Sequence, residues 1–282
     1  MVERKSIGDV VPHLILWIGI AIVAFPVYLA FIGSTHDAAT IANGQMPPTP
    51  GPYFFENYYR TIFVGTSMTT REPIGTMIIN SFVMAIGIAV GKISISIISA
   101  YAIVYFRFPF RMWFFWVIFV TLMLPVEVRI YPTYKVAADL NLLDTYAGLI
   151  LPLIASATAT LLFRQFFMTV PDELVEASRM DGAGPIRFFW DTLLPLSRTN
   201  IAALFVIMFI YGWTQYLWPL LITTRDDMQT LIIGIKKMIV TSDALTEWQV
   251  VMCTVMLAML PPVFVVIAMQ RLFVRGLIES EK

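Results

Sequence analysis

Charge is scarce in this chain. Of its 282 residues only 13% are Asp, Glu, Lys or Arg, against roughly 25% in an ordinary soluble domain, and 58% are hydrophobic. That balance excludes a water-soluble globular protein and describes an integral membrane protein. The formal net charge is zero, so nothing in the charge balance points to a nucleic-acid partner. Cysteine is nearly missing: Cys253 is alone, closes no internal disulfide and reads as packing in a late apolar run. The only two histidines, His13 and His36, are too far apart and too poorly supported for a metal site or a catalytic triad. A phosphate-binding loop is missing as well. The nearest stretch, GIAVGKIS at Gly87 to Ser94, has three residues between its glycines where the motif needs four, and Ile93 where Ser or Thr should follow Lys92. No ATP chemistry, metal or bound cofactor is therefore expected of this chain.

What is present is a series of apolar runs from end to end, the pattern of one transmembrane domain over residues 1–282. Crossing the hydrocarbon takes about 20 apolar residues. The runs are Pro12 to Ile32, Thr76 to Tyr105, Trp113 to Leu124 extended toward Tyr134, Tyr146 to Phe167, Ile201 to Ile222 and Val250 to Phe273. They predict an all-α membrane protein of six transmembrane helices, the third interrupted by Pro125 and Pro132. The first run is too long for a signal peptide, and Phe31 to His36 offers no A-x-A cleavage pattern, so it is expected to remain as a helix.

Lys and Arg set the orientation. One side collects Arg4, Lys5, Arg107, Arg111, Arg164, Arg179, Arg187, Arg198, Arg271, Arg275 and Lys282; the other has Arg60, Arg71, Arg129, Lys135, Arg225, Lys236 and Lys237 in longer loops. The first side is expected to be cytoplasmic, with both termini inside, and the turn FRFPFR is its sharpest marker. Outside, the loop Gly33 to Pro73 carries aromatic residues at 53–55, 58 and 59, which read equally as an interfacial lid and as anchors at headgroup depth. A second outer loop, residues 223–249, contains LIIGIKKMIV, too short and too charged for a further span and expected to present an amphipathic segment outward.

Within the second run, Gly87 and Gly91 form a small-xxx-small face that lets another helix approach, reinforced by Ser94, Ser96 and Ser99. Lys92 lies about midway along the same run. A lysine there costs roughly 2.5 to 3.5 kcal/mol at the centre of a span, and two readings are open: a cavity-facing cation, or a structural partner of a Glu or a backbone carbonyl.

One stretch breaks the apolar pattern. In VPDELVEASRMDGAGP, Pro171 and the acidic pair Asp172 and Glu173 suit a helix start, and Gly182 suits its stop. At 100° per residue, Leu174, Val175, Ala177 and Ser178 share one side of that helix while Asp172, Glu173, Glu176 and Arg179 share the other. Met180 falls on the polar side and Asp181 at the edge of the apolar side. Three carboxylates against one arginine argue against a helix seeking anionic lipid and for one that docks a protein. After the Gly-Ala-Gly turn, Pro185 opens a second short helix that Pro195 is expected to close.

EASRMDGAGPIRFFWDTLLP resembles the EAA loop of binding-protein-dependent ABC transporter permeases, which runs Glu-Ala-Ala, three residues, Gly, nine residues, Ile, one residue, Leu-Pro. Glu176, Ala177, Gly182, Leu194 and Pro195 match in register, while Ser178 replaces the second Ala and Thr192 replaces Ile. The similarity extends over nearly the whole chain to the carbohydrate-uptake branch, through LNLLDTYAGLILP, FFMTVPDELVEA and RLFVRGLIESEK. Within that branch LMLPVEVRIYPTYKVA and ATATLLFRQFFM look most like a permease subunit of sn-glycerol-3-phosphate importers.

The resemblance implies a type I importer fold and a multi-pass protein of the bacterial inner membrane. It also implies a second, different permease as partner, two ATPase subunits that bind ATP and Mg, and a periplasmic substrate-binding protein touching residues 223–249. Residues 171–197 are then the cytoplasmic coupling loop, with Glu176, Ala177, Ser178, Arg179, Met180, Asp181 and Gly182 at the ATPase. A phosphate monoester calls for cations along the pathway, and Lys92, Arg129 and Lys135 are the candidates; Arg129 and Lys135 read equally as interfacial charges pairing with Glu127 and Asp139. Two alternatives stand beside this reading: a permease for a maltose-like or other neutral sugar, and, from another class, an ion-coupled secondary transporter. The latter predicts paired broken helices with membrane carboxylates.

Overall fold

The computed structural model describes residues 7–65, 72–121, 126–240 and 246–279, with the backbone alone described at 7–10, 126–127, 240 and 271–279. Pro125, Arg4, Lys5, Arg71 and Lys282 lie outside the described residues, as do the side chains of Glu127, Arg271 and Arg275. Among the described residues there is no strand. The helices are α1 (Ile7–Ser34), α2 (Ala38–Ala42), α3 (Phe54–Tyr59), α4 (Ile74–Tyr105), α5 (Arg111–Val120), α6 (Val126–Asp139) and α7 (Tyr146–Leu153). They continue as α8 (Ala157–Phe167), α9 (Asp172–Met180), α10 (Pro185–Leu196), α11 (Arg198–Trp213), α12 (Leu217–Ile222), α13 (Leu231–Val240) and α14 (Trp248–Glu279).

Three of these are long and apolar enough to cross a membrane by themselves: Val11–Ser34, Ile74–Tyr105 and Trp248–Gln270. Two more crossings require bent pairs, α7 with α8 at 50° and α10 with α11 at 71°. The expected third span, Trp113 to Leu124 extended toward Tyr134, falls on α5 and on the first half of α6, with residues 122–125 between them outside the described residues. The expected fifth span is also divided, because α11 ends at Trp213 and α12 resumes at Leu217.

The chain separates into two compact units, Met1–Thr76 with Gly234–Leu260 and Met77–Ile233 with Pro261–Lys282. In the first, α1 leaves Trp17 and Val23 70% and 75% exposed, an apolar surface of the kind that lipid or another protein covers. Its last turn is instead fastened. Asn57 Nδ2 donates to the carbonyl oxygens of Ser34 and His36 at 2.9 and 2.8 Å, and the Gly51 amide donates to Thr35 Oγ1 at 2.7 Å. The aromatic loop is thus built onto the helix end. Phe54 packs against Phe31 and Tyr58, while Phe55, Tyr59 and Phe63 stay exposed, as anchoring side chains do.

The second unit is organised by close approach. A Cβ on Gly87 would lie 2.5 Å from Ile150 Cδ1, and one on Gly91 would lie 2.4 Å from Ile154 Cγ2. Ile150 and Ile154, four residues apart, therefore seat in the two gaps of the small-residue face, which are themselves four residues apart on α4. Ser96 adds a hydrogen bond to the Ser156 carbonyl at 3.2 Å, but Ser94 is exposed and takes no part in this face. The core beside it joins Met84, Ile88, Leu149, Leu153, Trp218 and Ile222. Gly148 is pinned too, since a Cβ there would meet the Leu142 carbonyl oxygen at 2.0 Å, while its own oxygen accepts from Trp218 Nε1 at 3.1 Å.

Buried polar side chains hold the start of the 223–249 loop. Asn80 Nδ2 donates to the carbonyls of Asp227 and Gln229, Tyr146 donates to Asn80 Oδ1, and the Leu231 amide donates to Ser81 Oγ. Asp144, at φ 53°, forms a second clasp: its carboxylate accepts from the amides of Thr224 and Arg225 and from the Thr224 hydroxyl. Partial burial pushes its pKa up, but the hydrogen bonds from Thr224 and Arg225 and the Arg225 charge outweigh it and hold the carboxyl below the usual aspartate range. Stability from this clasp is fully present above the ordinary aspartate value of about 3.9 and fades as pH falls through the depressed one. Asp144→Asn should remove that part of the acid dependence, read as thermal midpoint against pH in detergent; unchanged acid dependence would show the clasp to be incidental.

Candidate functional site: a projecting charged segment and a cationic cavity

The charged segment folds as its residues direct. Pro171, with extended backbone, precedes α9, and Asp172 and Glu173 occupy the first turn, where the helix dipole favours acids. At the other end Gly182 takes φ 74°, its amide donates to the Arg179 carbonyl at 3.0 Å, and the Ala183 amide donates to the Ser178 carbonyl at 2.9 Å. This pair of bonds is a Schellman motif, and its left-handed residue is the one the sequence supplies as glycine. No residue of α9 is buried; Val175 and Ser178 are half-buried, and Glu176, Ala177, Arg179, Met180 and Asp181 are exposed, Met180 to 89%. The amphipathic division predicted for α9 is thus narrower than expected, with Leu174 and Ala177 facing outward. All seven sequence-predicted residues, Glu176 to Gly182, stand on one projecting turn and a half.

Helix α10 behaves differently from the expectation at Pro195. The helix runs through that proline to Leu196 by widening to a π-turn over Phe189–Leu193, with the Leu194 amide donating to the Phe189 carbonyl. The wider turn falls where Pro195 has no N–H to give. The bend comes afterwards, at Ser197, whose hydroxyl donates back to the Leu193 carbonyl at 2.6 Å. Tyrosines at the end of α4 fasten α10: the Tyr101 hydroxyl donates to the Pro185 carbonyl at 2.8 Å, the Tyr101 ring lies 5.1 Å from Phe189, and the Tyr105 ring lies 5.5 Å from Phe188. The sequence reading missed these two tyrosines, although their spacing of four on a helix end signals one shared face.

The cavity lies elsewhere in the same unit. It has a volume of about 420 Å³ and is lined by Lys92, Ser99, Thr121, Arg129, Tyr211 and the chain from Ala155 to Thr158, among others. Lys92 is only 7% exposed, and its Nζ stands 3.6 Å over the centre of the Tyr211 ring. Of the two readings open for Lys92, the structure has the cavity-facing one. Arg129 joins it on the wall, whereas Lys135 is exposed on α6 away from the cavity and makes no ion pair with Asp139 among the described residues. The break between α7 and α8 was also missed by the sequence reading, which ran one span from Tyr146 to Phe167. Its signals were Pro152 and the cap residue Ser156, whose Oγ accepts from the Ala159 amide at 3.3 Å.

Both features lie within residues 92–279, and those residues match the family described as binding-protein-dependent transport system inner membrane component. The chain belongs to that family. Among its relatives is the sn-glycerol-3-phosphate transport system permease protein UgpE of Rhizobium meliloti (strain 1021), 59% identical over 282 residues and covering all of both chains. The protein of the same name from Agrobacterium fabrum (strain C58 / ATCC 33970) is 60% identical over the same full length. Among solved structures, a chain of a bacterial ABC transporter involved in the import of the acidic polysaccharide alginate superposes with a TM-score of 0.80. It is 22% identical, over 96% of this chain and 99% of that one. At that identity the likeness is one of fold, and it makes this inner membrane component an all-α protein of the type I importer permease architecture.

For this inner membrane component the Schellman turn is a joint between the projecting α9 and the fastened α10. No atom lies within 4 Å of where a Gly182 Cβ would be, so replacement there strains the backbone and nothing else. Gly182→Ala should cost about 1 kcal/mol at this turn, and Gly182→Asn less. Faster amide exchange at Gly182 and Ala183 in the Ala variant is the expected readout; unchanged exchange would show that the turn does not depend on glycine.

Proposed function

We propose that the chain is a permease subunit of an ATP-driven importer of sn-glycerol-3-phosphate, forming half of the pathway through a bacterial inner membrane. What carries this reading is similarity over the full 282 residues, at 59% and 60% identity, to proteins named as permeases of that transport system. In this reading the chain hydrolyses nothing. A second permease completes the pathway, two cytoplasmic ATPase subunits bind ATP and Mg, and a periplasmic binding protein delivers substrate near residues 223–249. Lipid surrounds α1 and the other apolar helix faces. The family assignment and the full-length similarity leave nothing in favour of an ion-coupled transporter, even though two bent helix pairs are present.

Residues 171–197 are the proposed coupling segment on the cytoplasmic side. Helix α9 gives a partner an exposed acidic face plus the adaptable side chain of Met180, and a basic group on the ATPase is its electrostatic complement at Glu176. Force applied to α9 passes through the Gly182 turn into α10, then through Tyr101 and Tyr105 into α4 and through the Ser197 bend into α11. Partner closure shifts the membrane helices only if it contacts α9 differently in its two states. These contacts should therefore govern coupling more than insertion.

The full complex, extracted gently through a C-terminal tag, tests the proposal. Wild-type protein should bring with it an ATPase, a second permease and a binding protein that takes sn-glycerol-3-phosphate. Glu176→Lys should insert normally yet lose the ATPase, or keep it while losing at least about tenfold in uptake, the effect of one charge-assisted contact. Normal uptake by Glu176→Lys would refute the coupling role, and a wild-type chain extracted alone under several mild conditions would refute the importer.

A further inference from the structure

The cavity beside Lys92 is cationic. Among the described residues Lys92 Nζ makes no hydrogen bond and no ion pair; its contact is the face of Tyr211. Arg129, itself exposed, shares the cavity wall, and among the described residues the lining contains neither Asp nor Glu. A buried amine with no carboxylate beside it is costly unless something negative joins it.

A third feature adds to the same charge. Helix α8, eleven residues long, begins at the cavity. Ser156 occupies two of its first amides, accepting from the Ala159 amide through Oγ and from the Thr160 amide through its carbonyl. The N–H groups of Ala157 and Thr158, which have no partner inside a helix, are left at the cavity. Such an end alone specifies nothing. Here it faces a nine-tenths-buried amine and a guanidinium across one space.

We propose that this cavity is the subsite of the translocation pathway that holds the phosphate group of an organophosphate monoester. The assignment rests on the importer reading above and goes beyond it by naming the residues and the charged part of the substrate they meet. Lys92 supplies a point charge, Arg129 a planar fork, and α8 its amides, which together match a group with three acceptor oxygens and nearly two negative charges. The volume of about 420 Å³ is that of a small-ligand pocket. Tyr211 positions the amine, its ring face holding Nζ without satisfying its hydrogen bonds. Lys135, away from the cavity, has no part in the subsite.

The same chemistry is offered by an anionic lipid headgroup, so the test separates the two. The complete transporter is reconstituted in vesicles with and without anionic lipid, and uptake of sn-glycerol-3-phosphate is compared for wild type, Lys92→Met and the series Arg129→Lys, Arg129→Gln and Arg129→Glu. Loss of one charge-assisted contact should lower uptake about tenfold or more for Lys92→Met. The Arg129 variants should lose activity in order of charge, Lys least and Glu most, equally in both vesicle types. Because Arg129 is exposed, that series decides the matter even if Lys92→Met does not assemble. Uptake unaffected by either position overturns the subsite while leaving the importer standing. A loss that appears only with anionic lipid makes the cavity a headgroup site and overturns it as well. A wild-type complex that takes up no sn-glycerol-3-phosphate overturns the importer reading itself and the subsite with it.

Discussion

Ile150 and Ile154 fit against α4 only because Gly87 and Gly91 have no side chains where they sit. In lipid there is no hydrophobic drive between helices, so close van der Waals approach has to supply the association. That approach fixes more than a helix pair. It brings the interrupted backbone after Leu153 alongside α4, where Ser96 satisfies the Ser156 carbonyl, and a broken span is tolerated at such depth only where protein or a cavity covers it. Lys92, one residue beyond Gly91, then looks into the space that the break opens. The glycine face, the break and the cationic cavity are one arrangement.

The same helix serves the other feature. Tyr101 and Tyr105 lie at the end of α4 and fasten α10, while α9 joins α10 through a glycine turn and lines a small cavity with the same tyrosines through Val175, Ser178 and Arg179. If α9 docks the ATPase and the Lys92 cavity holds substrate, as proposed, α4 is the direct mechanical link between the two. It needs no chain of small side-chain shifts, since a helix held by close packing and two aromatic contacts moves as a body.

How much of this was legible in the sequence depended on what each residue signals locally. Glycine and cap residues speak for themselves, so the Gly182 stop, the acidic first turn of α9 and the Gly87–Gly91 face were readable. The charged segment of α9 stood out because charge is rare elsewhere. The breaks were harder. The breaks at Ser156 and at Thr214 to Tyr216 interrupt the apolar runs by only a few polar residues, and a hydropathy count over a span averages them away. At Pro195 the local rule misled, because a π-turn one residue earlier let the helix pass through. Lys92 was visible as an anomaly, but its partners were not: Tyr211 and the start of α8 lie 119 and about 65 residues away in sequence, a separation that only packing closes. Lys135 looked equivalent to Arg129 by charge and spacing, and the turn of α6 puts it elsewhere.

The packing of Ile150 and Ile154 on α4 through Gly87 and Gly91 sets the geometry of the cavity beside Lys92. A double-mutant cycle in the assembled transporter tests it most directly, with Gly91→Ala, Ile154→Ala and both together, read by thermal midpoint and by uptake. A Cβ at position 91 would come 2.4 Å from Ile154 Cγ2 and 2.9 Å from its Cβ, so Gly91→Ala alone should be strongly harmful. Removing the Ile154 branch should restore much of the loss, giving a coupling beyond the roughly 0.5 kcal/mol expected of independent sites. Additive effects, or a Gly91→Ala transporter as stable and active as wild type, would contradict the account.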